Sequence, residues 1–104
     1  IVDNNDLQCD GHVGDVNSPY PIDRKMEAFN LHVIKVNGHD FTELLNGFAL
    51  AGSIKGRPTV VLAKTLKGKG VSFMEGKAEW HGKVPNEAQY RQALEELEKA
   101  VAAI

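Results

Sequence analysis

The chain has 104 residues, enough for one domain at most, and such a domain buries roughly 65% of the surface its unfolded chain exposes. With 42% apolar and 25% charged residues its composition is that of an ordinary globular chain, and no apolar run reaches the length of a membrane span. A net charge of −2 argues against nucleic acid or an anionic membrane as a general partner. The single cysteine, Cys9, leaves no internal disulfide and fits a reducing, cytoplasmic compartment. The chain opens at Ile1, without methionine and inside a strand pattern, as a piece of something longer does.

In chain order, Ile1-Val2-Asp3 reads as the end of a strand that runs into Asn4-Asn5-Asp6 and then Leu7-Gln8-Cys9-Asp10-Gly11. Three oxygen-bearing side chains in a row do not continue a central strand. They suit an Asx turn, where Asn and Asp accept left-handed geometry and bond nearby backbone. They also suit a hard cation such as Mg²⁺, which takes amide, carboxylate and backbone carbonyl oxygens. On these residues alone the turn is the simpler reading.

His12 to Pro21 reads as a loop broken by Gly14, Asn17, Ser18, Pro19 and Pro21, with Pro21 in the first turn of a short helix. Ile22, Met26 and Phe29 recur at i, i+4 and i+7, which predicts one buried face with Met26 and Phe29 in the core; Asn30 ends the helix. His32 to Val36 is a second strand, and Asn37-Gly38 turns the chain. Asp40 with Glu43 forms a capping-box pattern for a helix whose predicted inner face is Phe41, Leu44, Leu45 and Phe48. His39, beside the cap, reads as a local capping residue. Gly56 stops this helix, and Pro58 leads into a third strand, Thr59 to Lys64.

A loop follows that carries Lys64, Lys67 and Lys69 with Gly68 and Gly70 interleaved, and it closes on Trp80-His81-Gly82. Glycines let backbone N–H groups crowd an anion and lysines supply charge, so the loop is a candidate phosphate site. Gly-Lys-Gly alone is a weak signal, and a solvated basic loop has the same composition. Asn86 and Gln89 begin the last helix. Its stripe is Tyr90, Leu94, Leu97, Val101 and Ile104, with a charged face that includes Glu95 and Lys99 at i, i+4.

The order strand, helix, strand, helix, strand, loop, helix predicts an α/β fold: a three-stranded parallel sheet with flanking helices and right-handed crossovers. In such sheets ligands bind beyond the carboxyl ends of the strands, where Asn4 to Asp10 and Thr65 to His81 both fall. Asn5 and His81 are therefore expected on one rim. A dinucleotide site is disfavoured because no Gly-x-Gly-x-x-Gly follows a strand.

Three stretches carry a family resemblance. Ile-Val-Asp-Asn-Asn-Asp-Leu-Gln-Cys-Asp-Gly is similar to the second half of the thiamine diphosphate motif, which opens upstream on Gly-Asp-Gly. Ala-Lys-Thr-Leu-Lys-Gly-Lys-Gly-Val-Ser-Phe-Met-Glu, followed by Glu-Trp-His-Gly-Lys-Val-Pro-Asn, resembles transketolase. So does Glu-Ala-Phe-Asn-Leu-His-Val-Ile-Lys-Val-Asn-Gly-His-Asp between them. The likeness spans essentially the whole chain and is greatest to split bacterial transketolases, at the end of their diphosphate-binding region.

The resemblance implies that residues 1–104 are part of a diphosphate-binding domain. Asn5 would ligate Mg²⁺ or Ca²⁺ through its side-chain oxygen and Leu7 through its carbonyl, with thiamine diphosphate bridged by the metal. Cys9 would lie beside the thiazolium, where the family often has Ile or Gln. Lys67 would stand near the cofactor, and His81 would reach both the diphosphate and the sugar. The implied reaction moves a two-carbon ketol unit from a ketose phosphate to an aldose phosphate, as in the pentose phosphate pathway. The implied partners are sugar phosphates, the remainder of the diphosphate-binding domain and a pyrimidine-binding domain or subunit, in a homo-oligomeric parent enzyme. The Gly-Asp-Gly segment and the glutamate that activates the cofactor are not in this chain, so it is expected to have no turnover of its own. The rival is a non-catalytic α/β binding or structural module in which these loops have become scaffold.

Overall fold

A computed structural model describes residues 1–103. Its centre is a parallel sheet of three strands in the order β1 (Val2–Asn4), β5 (Thr59–Lys64), β4 (His32–Asn37). Val2 pairs with Leu62, and Ile34 pairs with Val61, so β5 lies between two strands that run its way. The predicted α/β class and the parallel register hold. Thr59 to Lys64 has the predicted bounds, β4 runs one residue further than expected and Asn4 still belongs to β1.

Strand alternation sends Ile34 and Val36 of β4, with Val61 and Ala63 of β5, to one face, where they form the buried core. Helix α3 (Phe41–Ser53) covers that face. The carboxylate of Asp40 accepts from the N–H groups of Thr42 and Glu43, which caps the helix. The Glu43 carboxylate reaches the Asn37 N–H instead of closing the box on Asp40. Helix α2 (Ile22–Ala28), which follows Pro21 at its N-cap, lies against β4 and joins it through the Asp23–Lys35 ion pair. That pair, with the Arg24 N–H, holds the Asp23 carboxyl below its ordinary value.

The predicted inner faces of the helices are largely corrected. On α3, Leu44 and Ala51 pack on the core and Gly47 is buried, while Phe41 is 82% exposed and Leu45 and Phe48 are also outside. The small residues win because they let helix and sheet approach: a Cβ on Gly47 would lie 3.0 Å from Val36 Cγ1. Met26 is half-buried, but Phe29, at the C-cap of α2, is 79% exposed and is not a core residue. On the last helix, α4 (Glu87–Ala102), Tyr90, Leu94, Leu97 and Val101 are all exposed, and Ile104 lies outside the described residues. Asn86 and Gln89 begin α4 as predicted, where they also close a reciprocal capping box, and the predicted Lys99–Glu95 pair forms at 2.7 Å.

Two short features were not legible. Leu7–Gln8 (β2) and Gly11–His12 (β3) make a small antiparallel ribbon, and Val13–Val16 (α1) makes one helical turn inside the predicted loop. The chain is thin, 51 × 36 × 15 Å, with a radius of gyration of 16.7 Å, against about 13 Å for a compact chain of this length. Among the described residues the buried apolar side chains are Ile34, Val36, Val61, Ala63 and Val71.

Candidate functional site

The carboxyl ends of adjacent strands β1 and β5 bring two loops together. After β1, Asp6 takes the left-handed φ of 66°, and the Asn5 Oδ1 accepts from the Leu7 N–H at 2.9 Å. This is the Asx turn read from the sequence. The Tyr20 hydroxyl donates to the Asp6 carboxylate at 2.8 Å and lies 3.0 Å from Asn4 Oδ1, so it fixes the turn from outside. Burial, then the Asp6 carboxylate, raises the Tyr20 pKa and keeps that hydroxyl protonated as a donor.

After β5 the loop doubles back on itself. The Gly76 N–H reaches the Lys67 carbonyl at 2.9 Å, and Met74 and Glu75 bond to the Val71 carbonyl. Gly68 has φ +72°, and a Cβ there would stand 2.7 Å from the Met74 carbonyl oxygen. A left-handed L-residue costs about 1–2 kcal/mol before any clash is counted. Gly68→Ala is therefore expected to lower stability by more than about 1 kcal/mol, read as a reduced urea midpoint. An unchanged midpoint would show that the loop is not closed at this point.

The loop ends in a 3₁₀ turn, Ala78–His81. The Trp80 indole donates to the Phe73 carbonyl at 3.1 Å and meets the Phe73 ring edge-on at 5.3 Å, with Lys83 over its face at 4.8 Å. Trp80 is thus the anchor, and it leaves His81 exposed at the rim. Helix α4 braces the loop from behind, where the Ser72 N–H and hydroxyl both donate to Glu96 at 2.6 Å. Those bonds hold the Glu96 carboxyl below its ordinary value.

Asn5, Leu7, Cys9, Lys67 and His81 line one cavity of about 320 Å³, together with Gln8. The structure brings all five residues singled out in the sequence to one place. Gln8 had no signal beyond its position in a two-residue strand, yet its buried Nε2 has no hydrogen-bond partner. The phosphate-loop expectation is narrowed. Lys69 pairs with Glu75 at 3.6 Å, and Lys64 lines a different cavity. The N–H groups of Lys69, Gly70 and Val71 are taken by Leu66, Glu75 and Gly68, so Lys67 alone of the three lysines serves this cavity.

A larger cavity of about 760 Å³ lies under Tyr20 and Ile22 on the other side of Asn4. Its polar groups largely satisfy each other: Lys35 pairs with Asp23, Glu43 accepts from Asn37, and His39 accepts from Leu66. The smaller cavity, where Asn5 pairs with the Leu7 N–H but the buried Gln8 Nε2 has no partner, is the better candidate.

The profile of the family described as transketolase, thiamine diphosphate binding domain, matches residues 1–99. The chain belongs to the transketolase family. It is 37% identical over 99 residues to the 6-deoxy-6-sulfo-D-fructose transketolase subunit SqwG of a Clostridium species, covering 95% of this chain and 36% of that one. It is 42% identical over 99 residues to an apulose-4-phosphate transketolase subunit from Actinobacillus succinogenes, covering 93% and 35%. The crystal structure of transketolase from Campylobacter jejuni superposes with a TM-score of 0.76 at 30% identity, over 90% of this chain and 15% of that one. The chain thus spans about a third of the length of the curated transketolase subunits it matches. Among the described residues no helix is long and apolar enough to cross a membrane.

The donor set can be weighed against the metal the resemblance implies. Asn5 offers a side-chain oxygen with a second lone pair beyond its Asx turn, and Leu7 offers a carbonyl. These are the hard oxygens that Mg²⁺ and Ca²⁺ take. Among the described residues no cluster of three His, Cys, Asp or Glu could hold a metal by itself. The donors fit a metal bridged to an oxygen-rich ligand and do not fit a self-contained metal centre.

Proposed function

We propose that residues 1–104 form part of the diphosphate-binding domain of a transketolase and supply one wall of its thiamine diphosphate site. The observation that carries this reading is the convergence of Asn5, Leu7, Cys9, Lys67 and His81 on one cavity from two loops far apart in the chain. Asn5 and Leu7 would give two oxygens to Mg²⁺ or Ca²⁺, and Lys67 would place a positive charge beside the diphosphate. Thiamine diphosphate, when bound, supplies the carbon nucleophile that carries the two-carbon ketol unit. Cys9 would present a small, polarisable side chain to the thiazolium edge. The exposed imidazole of His81 would donate a hydrogen bond to a sugar hydroxyl or hold its proton during transfer.

The substrates would be a ketose phosphate donor and an aldose phosphate acceptor, and the setting would be the cytoplasm. Two relatives are named as transketolase subunits, which supports a partner that brings the pyrimidine-binding domain. The exposed apolar side chains Phe29, Phe41, Leu45 and Val101 support contact with further polypeptide, including the rest of this domain and a second enzyme copy. The rival reading, a non-catalytic α/β module, draws on the Asx turn at Asn5.

Calorimetry separates the two. Mg²⁺ needs about six oxygens in near-octahedral geometry, and two are supplied here, so the chain alone should bind Mg²⁺–thiamine diphosphate more weakly than micromolar. Submicromolar affinity would contradict an incomplete site. In the complete protein, Asn5→Ala should weaken metal-dependent cofactor binding by about tenfold or more. Unchanged affinity there would leave Asn5 as scaffold and favour the rival.

A further inference from the structure

The root of the Lys67 loop is stitched to both neighbouring strands. On the β1 side, the Thr65 N–H donates to the Asn4 carbonyl at 3.2 Å, and the Thr65 hydroxyl donates to the Asp3 carboxylate. On the β4 side lies the turn Asn37 to His39. The Gly38 N–H donates to the Lys64 carbonyl at 2.8 Å, and a Cβ on Gly38 would fall 2.5 Å from Thr65 Cγ2. Only a residue without a side chain lets the turn come this close. Across that contact the Leu66 N–H donates to His39 Nε2 at 2.7 Å.

This bond constrains the imidazole chemically. A backbone donor needs a lone pair on Nε2, so the ring must be neutral with its proton on Nδ1. The bond is also separable from the turn itself. The His39 backbone N–H is held by Asn37 Oδ1 at 3.0 Å, and the helix cap belongs to Asp40, so neither depends on the ring. What the ring alone does is fix the peptide that leads directly into Lys67. Leu66 sits between the last β5 stitch at Thr65 and the residue that lines the candidate cavity.

We propose that His39, through the bond from the Leu66 N–H to its neutral imidazole, is a positioning residue that sets where Lys67 stands at the cavity. The bond reaches across from the turn that follows β4, a strand that contributes no residue to the cavity wall, so β4 joins the site indirectly. Its consequence for cofactor binding rests on the reading of the cavity as a thiamine diphosphate site. The geometric part does not.

Two variants test the geometric part. His39→Leu removes the acceptor and keeps a similar bulk, while His39→Gln offers Oε1 at about the reach of Nε2. Amide hydrogen exchange at Leu66, read by NMR in the protein, should quicken roughly 2- to 12-fold in His39→Leu. It should return close to the parent rate in His39→Gln. Equal Leu66 exchange in all three proteins would overturn the proposal, because a purely local turn role needs only the backbone. In the complete enzyme, His39→Leu should raise the thiamine diphosphate concentration for half-maximal rate several-fold, leave kcat at saturation unchanged, and be rescued by His39→Gln. A fall in kcat at saturating cofactor that His39→Gln does not rescue would overturn the positioning role. If the parent enzyme showed no dependence on thiamine diphosphate, the cofactor reading would fail and the Leu66 exchange result would still decide the geometric part.

Discussion

Replacing His81 by alanine in the assembled enzyme is expected to lower turnover by roughly 10²–10⁴ while moving stability by no more than about 0.5 kcal/mol. The reasoning starts from burial. His81 is exposed at the end of its 3₁₀ turn, so its removal leaves no cavity in the core. The loop does not need it either, because Trp80 is held by the Phe73 carbonyl, the Phe73 ring and Lys83. On the proposed reading, a rim imidazole that lines the candidate cavity would have its effect on the reaction and not on the fold. The competing view makes His81 a support for cofactor affinity alone. Turnover measured against thiamine diphosphate concentration distinguishes them, since full recovery at saturation would rule out a role in the reaction.

The second large effect is on the fold. Ile34→Ala should destabilise the protein by about 2–5 kcal/mol. Ile34 is 8% exposed and lies in the cluster with Val36, Val61 and Ala63, with Leu44 and Ala51 above it. Domains of this size hold only about 5–15 kcal/mol in total, and a core this small sits at the low end. The variant is expected to lose most of its cooperative urea transition at 25 °C. Phe41→Ala deletes more carbon from a side chain that is 82% exposed, and should shift the midpoint by no more than about 0.5 kcal/mol. If the two variants were equally mild, the contact of α3 with the sheet would not be the core.

That contrast marks where the sequence could be read. Apolar runs bounded by turn residues located β4 and β5, and the alternation of strands with helices implied parallel pairing. From parallel pairing alone, Asn5 and His81 belong on one rim, and they line one cavity. The sheet-facing side of α3 was harder, because the helical spacing of Phe41, Leu44, Leu45 and Phe48 made one apolar stripe that took in both phenylalanines. Close approach to Val36 instead selected Gly47 and Ala51. Periodicity also presumes that something covers an apolar stripe, and nothing described in this chain covers Tyr90, Leu94 or Val101. The β2–β3 ribbon was invisible because two-residue strands have no period to detect. His39 read as a local capping residue, since its partner Leu66 is 27 positions away.

The pairing of β1 with β5 also bears on how the molecule folds. Helix α3 joins β4 to β5 through a short, local crossover, whereas Val2 finds Leu62 only after nearly the whole intervening chain has been organised. The entropy of closing so long a loop falls on that pairing, so β4–α3–β5 is expected to assemble first. The cavity straddles the late seam, with Asn5 on one side and Lys67 on the other. On that order the cavity is expected to form after the folding transition state. A ligand bound there in the complete protein would then be expected to leave the rate of folding largely unchanged and to appear as slower unfolding.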